Sequence, residues 1–443
     1  MQKNNLLGTS FDCQCGRHHV VPTKHLFYGE NAFDFLLETA RSITDDPHYL
    51  IIADSRTFEV AGRSVETKLS SSTTRVSHFV VPDQEGESPA ADDTTRDLIL
   101  DQAPAADLYI AVGSGVINDL VKWVAYLKKK PYITVATAAS MNGYASANVA
   151  ATVDNLKVLF HADACLAVFA TPEIIINAPY ELTTSGLGDV LAKPVSSAVW
   201  KLNQFLFNDY HCQFSVDLLK ELEPVYLENP KKIKKKEPAA FKALFNALFL
   251  SSIAMTITGT SSPASGGEHM ISHTLDMTAN RDGRKHDYHG RQVGVSSILM
   301  AALYEKIMGI DKPVFKDVPR TVNSDFWGSL SPVVEKEYDK KIPKFERVAN
   351  YLSNPENWNR LKNLIKPDLV PAAKLKNCLM QAGGAHRYMD IRDNETALAR
   401  DKFLSVVTNA NQMRERFTIL DLAVLLGVIP GEIEQLVDEW VTK

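Results

Sequence analysis

The second half of the chain contains a region rich in histidine, a frequent ligand of transition metals in proteins. His269 and His273 are four residues apart, so on a helix both imidazoles lie on one face. His289 follows in the same region, and Asp189 lies upstream. Imidazoles and a carboxylate with open coordination positions suit a catalytic divalent cation, zinc by default and nickel or iron as alternatives. The sequence therefore predicts one metal site drawn from these residues.

A second candidate site is the glycine turn Gly113-Ser114-Gly115, which follows a strand-like run and leads into a helical segment over Asp119–Leu127. Small residues let backbone N–H groups approach a pyrophosphate, and a helix N-terminus adds partial positive charge. Tight turns need glycine in any case. A second polar loop, Thr137–Ser140, follows the next strand candidate. Two such loops at neighbouring strand ends are typical of a dinucleotide site.

Asp54 ends another strand candidate and has two interpretations. It can bind a ribose hydroxyl, which would favour NAD over NADP. It can equally cap the turn Asp54-Ser55-Arg56. The sequence leaves both open.

These motifs require a parallel sheet to position them. From about residue 25 to 170, short β-branched runs alternate with helix-like segments, a pattern typical of strands with crossover helices. The predicted strands are Tyr49–Ala53, His78–Val81, Leu108–Val112 and Tyr132–Ala136. Asn31–Ile43 and Thr95–Gln102 are predicted crossover helices, and Lys157–Phe160 with Leu166–Phe169 a further hairpin.

After Pro172 and Pro179 the pattern becomes helical, as in Ala240–Thr258, Gly294–Ile307, Lys344–Leu352 and Phe417–Leu426. We therefore expect an α/β Rossmann-like nucleotide-binding domain over residues 1–178 and an all-α metal- and substrate-binding domain over residues 179–443. A chain of 443 residues exceeds the usual size of one hydrophobic core, which also favours two domains.

Composition excludes several classes of function. The formal net charge is −5, and 45% of the residues are hydrophobic and 23% charged, so nothing indicates a nucleic-acid partner. We expect a cytoplasmic protein without a signal peptide or membrane span. The five cysteines are an odd number in a long chain and indicate reduced thiols. Cys13-Gln14-Cys15 with His18 and His19 lacks a second Cys/His pair of the zinc-site kind, so an N-terminal turn is the favoured interpretation.

Several ordered motifs together carry a family resemblance. They are Gly113–Asp119, Thr137–Ser146, Ser185–Lys193, Pro263–His269 and His289–Gly294. From about residue 20 to 310 the chain resembles the sn-glycerol-1-phosphate dehydrogenases, a branch of the iron-containing alcohol dehydrogenase and dehydroquinate synthase-like superfamily. The resemblance implies reversible NAD- or NADP-linked reduction of dihydroxyacetone phosphate, or a related keto-polyol phosphate, to sn-glycerol 1-phosphate. It also implies a homo-oligomer.

The resemblance further implies roles for single residues. Asp189, His269 and His289 would be the metal ligands, and His273 would contact the substrate, which helical spacing alone leaves open. The nucleotide would be bound by Asp54, Gly113, Ser114, Gly115, Val116, Ile117, Asn118, Asp119, Thr137, Ala138, Ala139, Ser140 and Ser146.

Two positions depart from the family pattern. Asn142 stands where an aspartate usually contacts the substrate, and Ser262 stands where arginine is frequent. Asn142 can hydrogen-bond a hydroxyl but cannot accept a proton as a carboxylate can, and losing an arginine removes a bidentate phosphate partner. Lys193, one turn after Asp189, is a candidate replacement for that charge or a solvent-facing residue, and Pro194 predicts a break in the helix. Alternatives are therefore a different sugar phosphate, a cyclising lyase resembling dehydroquinate synthase, and a nucleotide-binding protein with impaired catalysis.

Overall fold

A computed structural model describes residues 6–44, 48–70, 74–84, 86, 88–154 and 156–443. These residues form two compact units. The first contains the chain up to Gly186 together with Phe214–Tyr226 and Lys232–Thr260, and the second contains Leu187–Gln213, Leu227–Lys231 and Ser261–Lys443. The division after residue 178 predicted from the sequence precedes the first break, and two later segments return to the first unit.

The strands in chain order are β1 (Ser10–Asp12), β2 (His18–Val20), β3 (His25–Tyr28), β4 (His48–Asp54), β5 (Arg75–Val81), β6 (Leu108–Gly113), β7 (Tyr132–Ala136), β8 (Asn148–Val153), β9 (Leu156–His161), β10 (Ala167–Ala170), β11 (Arg392–Asp393) and β12 (Thr396–Ala397). Six of them form a parallel sheet in the order β3-β10-β7-β6-β4-β5. The central strands β6 and β7 are buried along their whole length, as parallel strands covered on both faces are. The Rossmann-like architecture is confirmed.

The helices of the first half are α1 (Leu36–Ile43), α2 (Ser55–Thr57), α3 (Arg63–Leu69), α4 (Asp93–Gln102), α5 (Gly115–Lys128), α6 (Pro172–Asn177), α7 (Tyr180–Leu191), α8 (Lys193–Phe207), α9 (Gln213–Asp217), α10 (Glu223–Leu227) and α11 (Pro230–Lys234). Those of the second half are α12 (Pro238–Thr258), α13 (Gly267–Arg281), α14 (His289–Met308), α15 (Ser324–Trp327), α16 (Ser331–Asp339), α17 (Ile342–Leu352), α18 (Pro355–Ile365), α19 (Ala372–Ala382), α20 (Arg400–Asn409), α21 (Ile419–Leu425), α22 (Val428–Gly431) and α23 (Ile433–Trp440). The helical character predicted for the C-terminal part is confirmed.

One strand pairing was predicted wrongly. Lys157–Phe160 and Leu166–Phe169 do not form a hairpin with each other. β9 pairs with the preceding β8, and β10 instead joins the main sheet between β3 and β7. β10 is buried along its whole length, and filling this position in the sheet places its apolar side chains in the core.

The segment after Asp189 also differs in part from the prediction. α7 ends at Leu191 and α8 begins at Lys193 with Pro194 in its first turn, so the predicted break occurs. Lys193 is therefore not on the helix of Asp189, and it is buried rather than solvent-facing. Proline is well accommodated in a first helical turn because no intrahelical partner is lost there.

One helix, α12, is long and apolar enough to cross a membrane by composition. In the most apolar stretch of α12, 72% of the residues are buried inside the protein. Burial of this kind is what a core helix of a globular unit requires.

Candidate active site

Three helices bring the predicted metal ligands together within the second unit. Asp189 lies on α7, His269 on α13 and His289 at the start of α14. Glycines allow α7 and α14 to approach closely: a Cβ atom at Gly188 would lie 2.0 Å from the Gly290 carbonyl oxygen. Any side chain at position 188 would force the helices apart, so this glycine contact places Asp189 beside His289.

The ligand atoms of Asp189, His269 and His289 all lie within 4.8 Å of one another. Nε2 of His269 is 3.6 Å from Oδ1 of Asp189, and the ring centroids of His269 and His289 are 5.0 Å apart. Asp189 and His269 are buried, and His289 is half-buried. Three lone-pair donors thus converge on one point.

A serine and a glutamine fix the ring of His289. The Ser272 hydroxyl lies 2.6 Å from Oε1 of Gln292 and 2.8 Å from Nδ1 of His289. Because the single hydroxyl proton is donated to Gln292, Ser272 accepts the Nδ1 proton of His289. This tautomer leaves Nε2 as an unprotonated ligand atom, which is the arrangement that supporting hydrogen bonds give metal-binding histidines.

Glu268 holds the ring of His269 through its Nδ1 atom. Its buried Oε1 accepts hydrogen bonds from the Gly266 N–H at 2.6 Å and from Nδ1 of His269 at 2.9 Å. Burial lowers the pKa of His269, but the Asp189 and Glu268 carboxylates outweigh it and raise the pKa to about 9. A positive charge is therefore favoured between the two carboxylates.

This donor set fits a divalent cation. When a bound cation takes the place of the Nε2 proton of His269, two neutral imidazoles and one carboxylate remain, with the other positions left to water or substrate, and this set matches catalytic metal centres. Asp189, His269 and His289 would hold the ion, while Ser272 and Glu268 would orient the two rings.

His273 lies beside this cluster. Its ring stacks on that of His289 with centroids 5.3 Å apart, and it is 6.1 Å from the ring of His269. His273, Asp276 and His289 form a second group whose ligand atoms lie within 4.8 Å of one another. Oδ1 of Asp276 also lies 3.2 Å from Nδ1 of His286, a contact that is an ion pair only when this imidazole is protonated.

In the first unit, the predicted nucleotide loops lie at the carboxyl edge of the sheet. β4, β6 and β7 are neighbours, and Gly113 is in register with Ala136 at the ends of the last two. Thr137 N–H donates to the Gly113 carbonyl at 3.2 Å, and the hydroxyls of Ser114 and Ser140 are hydrogen-bonded. The two loops are therefore joined into one polar surface at the N-terminus of α5, where ligands bind in open α/β sheets.

The residues of the turn divide between surface and core. Gly113 cannot carry a side chain, since its Cβ would lie 2.6 Å from that of Ile117. Ile117 is buried, whereas Val116 is exposed. The glycine turn therefore offers backbone groups to a nucleotide, and Ile117 supports it from below.

Three predicted nucleotide ligands take part in an internal network instead of only lining the surface. Lys122, fully buried, donates to Asp119 at 3.0 Å and to Ser146 at 3.2 Å. Asn118 donates to the Gly143 carbonyl at 3.2 Å and accepts from Thr134 at 2.8 Å. These contacts tie α5 to the loop that carries Asn142, so they stabilise the surface from beneath.

Asp54 caps α2, which supports one of its two interpretations. Its Oδ1 accepts hydrogen bonds from the N–H groups of Arg56 at 2.8 Å and Thr57 at 3.0 Å. The side chain is 13% exposed and lies at the end of β4, beside β6. The capping role is therefore present, and a ribose contact through Oδ2 stays a prediction.

Comparisons with known proteins identify the family of this chain. Residues 28–179 match the family model of iron-containing alcohol dehydrogenases. A Bacillus licheniformis protein named glycerol-1-phosphate dehydrogenase (NAD(P)+) is 30% identical over 420 residues, covering 95% of this chain and 93% of its own. The chain belongs to the glycerol-1-phosphate dehydrogenase family. A Halalkalibacterium halodurans protein of the same name is 28% identical, covering 92% of this chain and 94% of its own.

Membership of the glycerol-1-phosphate dehydrogenase family also agrees with the fold. The crystal structure of glycerol dehydrogenase from Schizosaccharomyces pombe covers 94% of this chain and 91% of its own with a TM-score of 0.57. At 17% sequence identity this likeness concerns the fold alone.

Sequence reasoning missed the residues that orient the ligands. Glu268 is adjacent to His269, and this adjacency was a usable signal in the family motif. Ser272 and Gln292 gave none, because their contact depends on how α13 packs against α14. Lys122 was missed because a lysine in an amphipathic helix is usually solvated.

Proposed function

We propose that this protein catalyses the reversible, NAD(P)-linked reduction of dihydroxyacetone phosphate to sn-glycerol 1-phosphate with one divalent metal ion. The observation that carries the proposal is the buried convergence of Asp189, His269 and His289, whose ligand atoms lie within 4.8 Å of one another. Relatives that cover almost the whole chain are named for this reaction. Zinc, nickel and iron all suit the donor set.

The protein's own residues prepare the site for this chemistry. Glu268 and Ser272 hold the two imidazoles in fixed orientations. Asp189, His269 and His289 would hold the cation, which would supply Lewis-acid activation of the ketone, and a bound reduced nicotinamide would supply hydride. In this proposal His273, whose ring stacks on that of His289, hydrogen-bonds a substrate hydroxyl.

The first unit binds the nucleotide in this proposal. The backbone of Gly113–Gly115 and the loop Thr137–Ser140 contact the phosphates at the N-terminus of α5, and Asp54 contacts the adenosine ribose. Asn142 contributes the substrate hydrogen bond that an aspartate usually makes in this family.

The test is oxidation of NADH and NADPH with dihydroxyacetone phosphate, using chelated protein reloaded separately with zinc, nickel or iron. We expect a metal-restored rate that requires the phosphate, with non-phosphorylated dihydroxyacetone as the control. A coupled enzyme specific for sn-glycerol 3-phosphate should not consume the product. Activity that survives complete chelation would contradict the proposal.

A different keto-polyol phosphate is a second candidate, favoured by Asn142 and Ser262 in place of the usual aspartate and arginine. It predicts a rate with a longer keto-sugar phosphate that exceeds the rate with dihydroxyacetone phosphate. Substrate conversion without net cofactor oxidation would instead indicate a cyclising lyase. Binding of cofactor without any conversion would indicate impaired catalysis.

We further propose that the enzyme is a cytoplasmic homo-oligomer, as its family resemblance implies. Light scattering of the purified protein after gel filtration tests the assembly. A monomer at assay concentrations that retains full activity would contradict it. Fractionation of the producing cells, with recovery in the soluble cytoplasmic fraction, tests the location.

A further inference from the structure

The N-terminal hairpin of the first unit brings together a cluster of thiols and an imidazole. β1 and β2 pair in antiparallel register, and the turn between them contains Cys13 and Cys15. The ligand atoms of Cys13, Cys15 and His19 lie within 4.8 Å of one another, and Sγ of Cys15 is 3.3 Å from Nε2 of His19. The cluster uses none of the residues of the candidate active site.

The backbone of the turn is shaped to direct both thiols toward one point. Cys13 N–H donates to the Arg17 carbonyl at 3.0 Å, and Gly16 N–H donates to the Cys13 carbonyl at 2.9 Å. Gly16 has φ +83°, which favours glycine because it has no Cβ atom. A tight Cys-x-Cys-Gly turn therefore holds the sulfurs on one side of the hairpin.

Only one of the two adjacent histidines faces the thiols. Side chains alternate along a strand, so His18 and His19 point to opposite faces of β2. Nδ1 of His18 pairs with the Asp12 carboxylate at 2.8 Å on the exposed face. His19 is 1% exposed and is held by edge contact with the Phe11 ring, with centroids 5.4 Å apart. Its imidazole is therefore fixed toward Cys15.

From this geometry we propose that Cys13, Cys15 and His19 bind a zinc ion that fastens the N-terminal hairpin. Zinc bonds sulfur at about 2.3 Å and imidazole nitrogen at about 2.0 Å, so a tetrahedral ion holds its ligand atoms roughly 3.5–4 Å apart. The measured separations need only small movements to meet that value. The fourth position is filled by a further thiolate of the chain or by water.

The role that follows is structural. Sites built from thiolates and imidazole hold short loops whose own apolar core is small, and their ion contributes directly to folding. The strands joined here are only three residues each, so backbone pairing alone supports the hairpin weakly. The ion adds a covalent-like link to the packing that the hairpin already has through Phe11 and Phe214, whose ring centroids are 5.0 Å apart.

The first test counts zinc per chain in protein whose catalytic site has been emptied by His289→Ala. We expect about one zinc per chain to remain in that variant, and the added substitution Cys15→Ser to remove it. Cys378→Ala, which changes a buried cysteine on α19 in the second unit, is the matched control and should leave the count unchanged. A His289→Ala protein without stoichiometric zinc after growth in zinc-supplemented medium would overturn the proposal.

X-ray absorption at the zinc edge of the same His289→Ala protein gives an answer that does not depend on how the cysteine variant folds. Two or three sulfur neighbours together with at least one imidazole support the site, and three indicate a further thiolate. One sulfur or none would overturn it.

Cys15→Ser in the otherwise wild-type chain should keep its kcat with the reloaded catalytic metal while its thermal midpoint falls.

Discussion

Two clusters of buried charge in the second unit contrast sharply in how their charges are balanced. Lys341 and Asp421, both fully buried, pair through Nζ and the two carboxylate oxygens at 3.0 and 3.2 Å. Asp189, His269 and His289 instead direct three lone-pair donors at one another. The first cluster contains both signs of charge, whereas the second contains the ligands for a cation.

The hydrogen bonds around each cluster sharpen the contrast. Asp421 also accepts from the Thr418 N–H at 2.7 Å and from Asn411 at 3.2 Å, and Lys341 donates to the Asn411 carbonyl. Burial lowers the pKa of Lys341 and raises that of Asp421, and each charge opposes the effect on the other. This pair is balanced within the protein, so its consequence is structural.

Around the histidines, the hydrogen bonds fix the orientation of the imidazole rings. Ser272 and Glu268 each engage an Nδ1 atom and leave the Nε2 atoms directed into the cluster. Buried polar groups are costly unless they are satisfied. A cluster whose hydrogen bonds orient lone pairs toward a common point therefore indicates a ligand, whereas a lysine–carboxylate pair indicates packing.

The largest effect is expected from removing a metal ligand. We expect His289→Ala to lower kcat/KM by at least ~10³-fold, since a Lewis-acid metal supplies several kcal/mol and each ~1.4 kcal/mol is tenfold. Bound catalytic metal should fall in parallel, and cooperative unfolding should persist. His386→Gln, at a histidine that bonds the Gly384 carbonyl elsewhere in the same unit, is the control. Full activity in metal-free His289→Ala protein would show that the histidine cluster is not a catalytic metal site.

The opposite pattern is expected for the buried ion pair. Lys341→Met leaves Asp421 buried without its cation, so the free energy of unfolding should fall by about 3–5 kcal/mol. The activity of the molecules that stay folded should be unchanged. Chemical denaturation combined with active-site titration measures both quantities.

A double variant provides the control for this loss. In Lys341→Met with Asp421→Asn the charge is gone, and the amide oxygen can still accept the Thr418 N–H bond. Most of the stability should return. If the double variant is no more stable than Lys341→Met, the loss comes from packing of the lysine side chain and not from an uncompensated carboxylate.

Local patterns predicted the elements of both units well, but they could not predict pairings between distant segments. The buried β-branched runs of β4, β6 and β7 identified the sheet. The glycine turn located α5, which begins at Gly115 and not at the predicted Asp119. The partner of β9 was missed because Lys157–Phe160 fits any adjacent apolar strand equally well. Which strand it pairs with depends on where β10 enters the sheet.

In the candidate site, too, the sequence identified residues within local motifs but not contacts between distant segments. Asp189, His269 and His289 lie in recognisable motifs, so the family resemblance named them before the fold did. Ser272 carries no such mark, because its position depends on the approach of α13 to α14. Lys193 lies in a recognised motif, but its burial depends on the break after Leu191 and could not be read from the sequence. For Cys13, Cys15 and His19 the spacing favoured an N-terminal turn over a metal site, although a hairpin brings these residues together.

A smaller effect is expected from loosening an oriented ligand without removing it. Ser272→Ala removes the acceptor that fixes Nδ1 of His289, so metal affinity should fall roughly 10–100-fold. Excess metal should restore most of the activity. Competition with a chelator of known affinity measures the change.

The control for this variant is Ser297→Ala on α14, which removes a buried hydroxyl that donates to the Val293 carbonyl of its own helix. It should leave metal affinity unchanged. Equal losses in the two variants would show that any buried serine change on these helices disturbs the site, and Ser272 would have no orienting role.

The smallest effect is expected at Asp54. One oxygen of this carboxylate bonds within the protein, and the other is proposed to bind a ligand. Its Oδ1 satisfies the backbone of α2, whereas Oδ2 is proposed to bind the ribose of the nucleotide. Asp54→Asn keeps an oxygen for the cap and removes the charge that would repel a 2′-phosphate. We expect the preference for NADH over NADPH, as a ratio of kcat/KM, to fall by about tenfold, or ~1.4 kcal/mol.

The alanine variant separates the two functions of this carboxylate. Asp54→Ala should also lose about 1 kcal/mol of stability with the cap, while Asp54→Asn should retain most of it. An unchanged cofactor ratio in Asp54→Asn would assign the carboxylate to the cap alone. Asp54 would then belong with Lys341 and Asp421, whose charges are used within the protein, and not with the ligands of the metal cluster.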